Sequence, residues 1–268
     1  MMSTPIPRRF NIPLALQPAL FLIVLSLFIN GCAAVKQRPG VVQGAPEAAA
    51  LLDKLQRKNA TLLSFKGSGR MHLSDEKGEQ TARILWAASG NEKIRIELIG
   101  PAGRPSLSFS YDGERIYLIS HAENRFYTKA QKNASLEKLT SIPVKVSTAL
   151  DLLAGRLPKE RYSVSTFGNE DRQGQRCLVL KRRDRGKGYD RVCVEVESDA
   201  ISTFESFDAD GRLEYRVECT AVRRISGFLI PEELSFCNGE AACMQITVKK
   251  VWPNAPVADR LFVLKKPK

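Results

Sequence analysis

From Phe65 onward, apolar and polar residues alternate with a period of two, which is typical of strands that bury one face. Turn signals such as Asp112-Gly113 and Asp210-Gly211 separate the alternating segments. The predicted strands include Phe65–Leu73, Ala82–Trp86, Ile94–Leu98, Leu107–Tyr111, Tyr162–Phe167, Cys177–Lys181, Arg191–Glu197, Ser202–Phe207, Leu213–Ala221, Glu232–Phe236 and Met244–Val251. We therefore predict a mainly β fold with helices, in which about twelve strands form a curved or barrel-like antiparallel sheet.

Two segments have helical rather than strand character. Glu47–Asn59 carries one apolar stripe, made of Ala48, Leu51, Leu52 and Leu55. Further along, Thr148 and Asp151 have the spacing of a capping box, which predicts a short helix that begins there and ends at Gly155. No strand–helix–strand rhythm is present, so a parallel α/β fold is excluded.

The first residues have the layout of a secretion signal. Two arginines precede an apolar run, Leu14–Ile29, which is shorter than the ~20 residues of a transmembrane helix and contains a proline. The run ends just before Gly31-Cys32, which resembles the lipobox of bacterial lipoproteins. That resemblance implies that Cys32 is the lipid attachment site. Because Ala33 follows it rather than an aspartate, the resemblance also implies a lipid-anchored protein on the periplasmic face of the outer membrane.

The chain therefore divides into three parts. Residues 1–31 are predicted to be a lipoprotein signal peptide and residues 32–46 a flexible membrane tether. Residues 47–268 are predicted to form a single domain with a cysteine-containing C-terminal half.

Five cysteines remain after Cys32, and an oxidising compartment favours disulfides between them. Cys237 and Cys243 flank a plausible hairpin loop, and Cys177 and Cys193 flank a turn-rich segment. Cys219 and Cys237 also flank a possible turn. One thiol must stay unpaired, so the connectivity is open at this point.

The chain of 268 residues has 41 Lys and Arg against 29 Asp and Glu, a formal net charge of +12. Its densest basic run, Lys181–Lys187, has no interleaved aromatic residues for stacking on bases. We therefore expect no nucleic-acid partner. An anionic lipid surface or an acidic carrier protein suits the charge better.

No motif for enzymatic, metal or cofactor chemistry is present. The chain has only two histidines, His72 and His121, which lie on or just past the polar side of predicted strands. Neither a nucleophile–base pair nor a cysteine–histidine spacing for zinc is visible. We therefore expect no catalytic residues, no metal and no cofactor.

The segment Leu51–Pro158 resembles the LolB family of outer-membrane receptors for lipoproteins, within the LolA/LolB superfamily. A predicted helix is followed by the sequence FKGSG from Phe65 to Gly69 and then by IRIELIGPAG from Ile94 to Gly103. The most specific match is LTSIPV from Leu139 to Val144, followed by LAGRLP from Leu153 to Pro158. The resemblance implies an unclosed β-barrel with a helical lid, whose cavity accepts lipoprotein acyl chains or lipid from a LolA-like periplasmic carrier.

Six residues on the apolar side of the predicted strands are candidates for the lining of that cavity. They are Trp86, Ile94, Ile96, Leu98, Phe109 and Tyr111. An antiparallel sheet with one continuous apolar face must either enclose a cavity or pack that face, so the same residues also fit a filled core.

In LolB proteins, a loop with the pattern Pro-Leu-Gly presents an exposed leucine that is associated with placing lipid in the membrane. The matching, membrane-facing loop here is Pro101-Ala102-Gly103, and Ala102 offers much less apolar surface. The resemblance therefore implies the binding of acyl chains more strongly than the insertion of lipid into the membrane. The favoured function is lipoprotein reception or lipid transport, and the alternative is a structural or sensing lipoprotein that uses the same fold without lipid transfer.

Overall fold

The computed structural model describes residues 46–167, 174–183, 188–239 and 242–267. The predicted signal peptide, Cys32 and nearly all of the predicted tether lie outside the described residues, as do residues 184–187 of the basic run. All described residues belong to one compact unit. None of the described helices has the length and apolar character needed to cross a bilayer.

A single antiparallel sheet of thirteen strands accounts for most of the described chain. Strands that are consecutive in sequence pair with each other, except β6 and β7, which form the two edges of the described sheet, and β1 also pairs with β13. The strands are β1 Ser64–Asp75, β2 Gly78–Ser89, β3 Lys93–Ile99, β4 Pro105–Asp112, β5 Arg115–Ser120, β6 Arg125–Ala130, β7 Tyr162–Phe167, β8 Gln175–Arg182, β9 Tyr189–Glu195, β10 Ile201–Phe207, β11 Leu213–Ile225, β12 Phe228–Asn238 and β13 Cys243–Pro253. The predicted mainly β fold with an unclosed, curved antiparallel sheet is confirmed.

Strands β5 and β6 are absent from the sequence prediction, and their burial explains why. In β5, Tyr117 and Ile119 are buried against Leu264 from the C-terminal segment, while Ile116 and Leu118 pack towards the main core. A strand that is covered on both faces has consecutive apolar residues rather than an alternating pattern. β6 is short and mostly exposed, so it carries no apolar alternation either.

Three helices interrupt or precede the strands: α1 Pro46–Arg57, α2 Glu137–Thr140 and α3 Val146–Leu153. The predicted capping box is wrong, because α3 begins before Thr148 and its N-cap is Lys145, which makes no side-chain cap hydrogen bond. Thr148 and Asp151 are instead buried within the helix. Gly155 follows α3 with a φ of +65°, and a side chain there would collide with the carbonyl oxygen of Leu229.

A buried ion pair fixes the end of α3 to the sheet. The Arg156 guanidinium lies 3.0 Å from the Asp151 carboxylate, and it also donates a hydrogen bond of 2.9 Å to the Leu62 carbonyl just before β1. Both side chains are almost fully buried. Burial is the largest influence on Asp151 and raises the pKa of its carboxyl, while the neighbouring guanidinium opposes that rise.

Asn59 makes a second connection between α3 and the sheet. Its side-chain amide donates to the Ala154 carbonyl at 2.8 Å and to the Leu229 carbonyl at 2.7 Å. The backbone N–H of Leu229 in turn donates to the side-chain Oδ1 of Asn59 at 3.3 Å. Asn59 has a φ of +53°, a conformation that asparagine adopts more readily than most residues. One side chain thus joins the end of α3 to the start of β12.

The C-terminal segment packs on the opposite face of the sheet. A 3-10 helix, Asp259–Phe262, lies over β3 and β4. The Ser110 hydroxyl donates to the Phe262 carbonyl at 2.7 Å, and the Phe262 side chain is fully buried. This segment covers part of the outer face, so only the remainder of that face is open to solvent.

The structure contains two disulfides, Cys177–Cys193 and Cys237–Cys243, and leaves Cys219 as a buried free thiol. Each disulfide joins residues directly opposite each other on paired strands, β8 with β9 and β12 with β13. Burial raises the pKa of the Cys219 thiol to about 12, so at neutral pH the thiol is protonated.

We expect Asn59→Ala to lower the free energy of unfolding by about 1–3 kcal/mol, because it leaves part-buried backbone groups of two elements without partners. Urea denaturation measures the change. Asn124→Ala is the matched control, since Asn124 also has a positive φ, of +50°, but is exposed. Equal losses in the two variants would contradict the role given to Asn59.

Candidate functional site

The inner face of the sheet, on which α3 packs, is continuously apolar because the strand register aligns apolar residues across neighbouring strands. Ile96 on β3 lies opposite Trp86 on β2 and Phe109 on β4. Two residues along, Leu98 lies between Ile84 and Leu107 in the same way. These cross-strand rows form one wall of the main buried cluster.

A cavity of about 180 Å³ lies between this face and a cover, which we define as residues 136–153, including α2 and α3. The sheet contributes Met71, Leu73, Gln80, Ile84, Ile94, Ile96, Leu98, Leu107, Phe109, Phe236, Met244 and Ile246. The cover contributes Leu136, Leu139, Thr140, Val146, Ala149, Leu150 and Leu153. Among the described residues, the lining contains no charged side chain, and Gln80 and Thr140 are its only polar members.

A cavity of this kind favours an apolar ligand. An apolar cavity of roughly 150 Å³ with similar walls stays free of water and binds a molecule such as benzene. No group in the lining could neutralise a buried charge, so a charged part of a ligand would have to remain outside.

Four of the six sequence-predicted lining residues, Ile94, Ile96, Leu98 and Phe109, lie at the cavity. Trp86 and Tyr111 are buried in the same cluster but do not border it. The Trp86 indole lies over Gly67 in the neighbouring strand, where a Cβ atom would collide with it. Tyr111 donates a hydrogen bond from its hydroxyl to the Gly113 carbonyl at 2.6 Å.

Sequence reasoning missed the cover and the contribution of β12 and β13. In the cover, Val146, Ala149, Leu150 and Leu153 recur with the spacing of one helix face, a signal that could have identified them. Phe236 and Met244 had no comparable signal, because β12 and β13 reach the cavity only through the pairing of β13 with β1.

The cavity borders solvent at the end of the sheet where β1 turns into β2 and β3 turns into β4. Leu139 is 39% exposed and Gln80 is also exposed, while Leu98 and Leu107 are half-buried. The loop Pro101-Ala102-Gly103 joins β3 to β4 beside Leu98 and Leu107, and all three of its residues are exposed.

The Cys237–Cys243 disulfide lies at the same end of the sheet, next in sequence to the cavity residues Phe236 and Met244. The side-chain amide of Asn238 donates to the Ser141 carbonyl at 2.8 Å. The end of β12 is therefore attached to the cover at the rim of the cavity.

Besides the Asp151–Arg156 pair, a second group of buried charges lies on β8 to β11, away from the cavity. The Glu205 carboxylate is bound by Arg191 and Arg216 at 2.5 and 2.6 Å, and that of Asp190 by Arg182 at 2.5 Å. Burial raises the pKa of Asp190 despite the neighbouring guanidinium. These pairs satisfy one another and do not contribute to the cavity wall.

A serine–histidine contact occurs on the outer face, where the Ser108 hydroxyl lies 2.7 Å from Nε2 of His121. The same hydroxyl donates its proton to the carboxylate of Glu97. His121 must therefore donate to Ser108 rather than accept from it, which is the reverse of a catalytic base. Within the described part of the chain, no group of three or more metal-ligating side chains is brought together.

No family model matches the chain. A curated relative, the outer-membrane lipoprotein LolB of Klebsiella pneumoniae, is 26% identical over 132 residues, which are 48% of this chain and 62% of that protein. The chain thus matches less than two thirds of the length of this relative.

Solved structures with the same fold cover more of the chain. A LolA superfamily protein from Nitrosomonas europaea matches with a TM-score of 0.57 and 14% identity, over 81% of this chain and 97% of that one. A domain assigned to outer-membrane lipoprotein sorting from Vibrio parahaemolyticus matches with a TM-score of 0.59 and 12% identity, over 82% and 97%. A DUF1329 family protein from Desulfovibrio piger matches with a TM-score of 0.56 and 12% identity, over 81% and 95%.

We expect Gly67→Ala to lower the free energy of unfolding by about 1–3 kcal/mol, because its methyl group would displace the buried Trp86 indole. Gly100→Ala is the control: its new methyl group would meet neighbours at ordinary contact distances of 3.5 Å or more, and neither glycine has a positive φ. Urea denaturation of both variants measures the difference. A loss at position 67 no larger than at position 100 would contradict the close packing of Trp86 on β1.

Proposed function

Since the chain has the fold of the LolA superfamily, we propose that it is an outer-membrane lipoprotein that binds acyl chains in the cavity beneath its cover. Its role would be lipoprotein reception and localisation, or lipid transport. The observation that carries the proposal is the cavity lining, which is apolar on the sheet and on the cover and contains no charged side chain.

The energetics of the cavity suit an acyl chain. Burial of each methylene contributes about 0.8 kcal/mol, so affinity would rise with the length of chain enclosed. The polar part of the ligand would stay at the rim, near Gln80 and Leu139, where the cavity borders solvent. The role would be that of a carrier or receptor rather than an enzyme.

The remaining features of the proposal concern the predicted lipid anchor at Cys32 and the loop Pro101-Ala102-Gly103 beside the cavity. A lipid on Cys32 would hold the protein at the periplasmic face of the outer membrane, and a LolA-like carrier would deliver the acylated cargo. Ala102 at the exposed loop presents only a methyl group, so we propose that this protein holds acyl chains better than it inserts them into a bilayer.

We expect Ala149→Phe to weaken the binding of pyrene-labelled palmitate to the full chain by more than about tenfold. Ala149 is a half-buried cover residue that borders the cavity, so a benzyl group there would fill space that an acyl chain needs. Loss of two enclosed methylenes, about 1.6 kcal/mol, accounts for that factor. Fluorescence titration measures the affinity.

Ala130→Phe is the matched control, because Ala130 is exposed at the end of the edge strand β6. Equal binding by the two variants would overturn the assignment of the cavity. In cells, depletion of the protein should mislocalise outer-membrane lipoproteins, and Ala130→Phe but not Ala149→Phe should restore them. Normal localisation after depletion would favour the structural or sensing alternative instead.

A further inference from the structure

The outer face of the sheet carries a cluster of cations and exposed apolar residues on three adjacent strands near its middle, β2, β1 and β13. We define this outer basic patch by its members, which are Lys66, Arg70, Arg83, Leu85, Lys250 and Trp252. The strand register brings them together: Lys66 lies opposite Trp252, and Ser68 lies between Lys250 and Leu85. The alternation of the strands places them opposite the apolar residues of the inner face.

None of the four cations in the patch forms an ion pair with another described residue. On the flanking strands, the charge of Glu97 is already compensated by Arg95, and Glu233 contributes a single negative charge against the four cations. The patch therefore has an excess of positive charge.

Arg70 and Arg83 lie directly opposite each other on paired strands. Like charges in this position destabilise a sheet. Neighbouring strands are about 4.8 Å apart and residues rise about 3.3 Å along a strand, so each cation of the patch has at least one other cation within roughly one screening length at physiological ionic strength. The arrangement opposes folding, and an anionic surface placed over it would relieve the repulsion.

Two large apolar side chains are exposed among these cations. Trp252 is 50% exposed and Leu85 is 45% exposed. Tryptophan combines a large apolar ring with one polar group and is favoured where an apolar phase meets water. A surface that suits the whole patch must therefore offer both negative charge and apolar contact.

We propose that the outer basic patch docks on a bilayer surface rich in anionic phospholipid, with the Trp252 ring among the headgroups. Phosphates above acyl chains supply both kinds of contact over a continuous area and require no matched acidic positions. A single-stranded nucleic acid would need a series of stacking aromatics, and the patch has one. An acidic protein is the remaining alternative and is distinguished by the experiment.

The patch and the cavity lie on opposite faces of the same sheet. Docking of the outer face therefore leaves the cover and the cavity uncovered. The proposal does not depend on what the cavity binds, so either one can fail without the other.

The chain contains two tryptophans, which makes a direct test practical. The full chain is reconstituted into vesicles of phosphatidylglycerol and phosphatidylethanolamine with brominated acyl chains, which quench nearby tryptophan emission. We expect strong quenching of Trp252 and its loss in Trp252→Phe, where the remaining quenching of the buried Trp86 reports any brominated chain taken into the cavity. Vesicles of brominated phosphatidylcholine, which carry no net charge, should not quench the emission. In the anionic vesicles, an ionic strength near 1 M, where the screening length is about 3 Å, should abolish the quenching.

The charge requirement has its own matched pair of variants. A triple variant with Arg70→Gln, Arg83→Gln and Lys250→Gln should abolish the quenching. It should not lower the thermal stability, because the substitutions remove the repulsion between the cations of the patch. The control is a triple variant with Lys77→Gln, Lys129→Gln and Lys132→Gln, which removes the same charge from exposed positions outside the patch. It should leave the quenching intact. Absence of quenching in anionic vesicles, or equal quenching in neutral ones, would overturn the proposal and leave an acidic protein as the partner to examine.

Discussion

The attachment of the cover to the sheet is the constraint on which the cavity depends. An antiparallel sheet of this size has an apolar face that must be shielded from water, and α3 is too short to be stable without tertiary contacts. The buried Asp151–Arg156 pair and the Asn59 hydrogen bonds fix its C-terminal end near β1 and β12. Asn238 attaches the segment before α3 at the rim. These polar contacts hold the cover at its C-terminal end and between its two helices, and the apolar side chains of the cover line the cavity.

Sequence patterns predicted the strands that bury one face and failed where burial was different. The regular alternation of β1 to β4 reflects one apolar face, whereas β5 is covered on both faces and has no alternation to detect. The start of α3 was misplaced because Asp151, read as part of a capping box, lies in the last turn of the helix and pairs with Arg156, which also binds the Leu62 carbonyl. Local spacing could not reveal the tertiary contact with Leu62.

The cavity itself was predictable only in part. Ile94, Ile96, Leu98 and Phe109 belong to a face that alternation identifies, but a filled core and a cavity have the same pattern. The difference depends on the space left between sheet and cover, which is a property of packing between distant segments. Trp86 illustrates this: it lies among the predicted lining residues, yet Gly67 gives it room to pack on the sheet instead.

The pairing of β1 with β13 has a consequence for how the chain folds. The two central strands of the sheet come from opposite ends of the domain, so the sheet stays in two separate halves until the last strand is available. Contacts of such long sequence separation slow folding, because the loop between them must be closed first. Until β13 is in place, each half would expose its apolar face and an unpaired strand edge, and such exposure promotes aggregation.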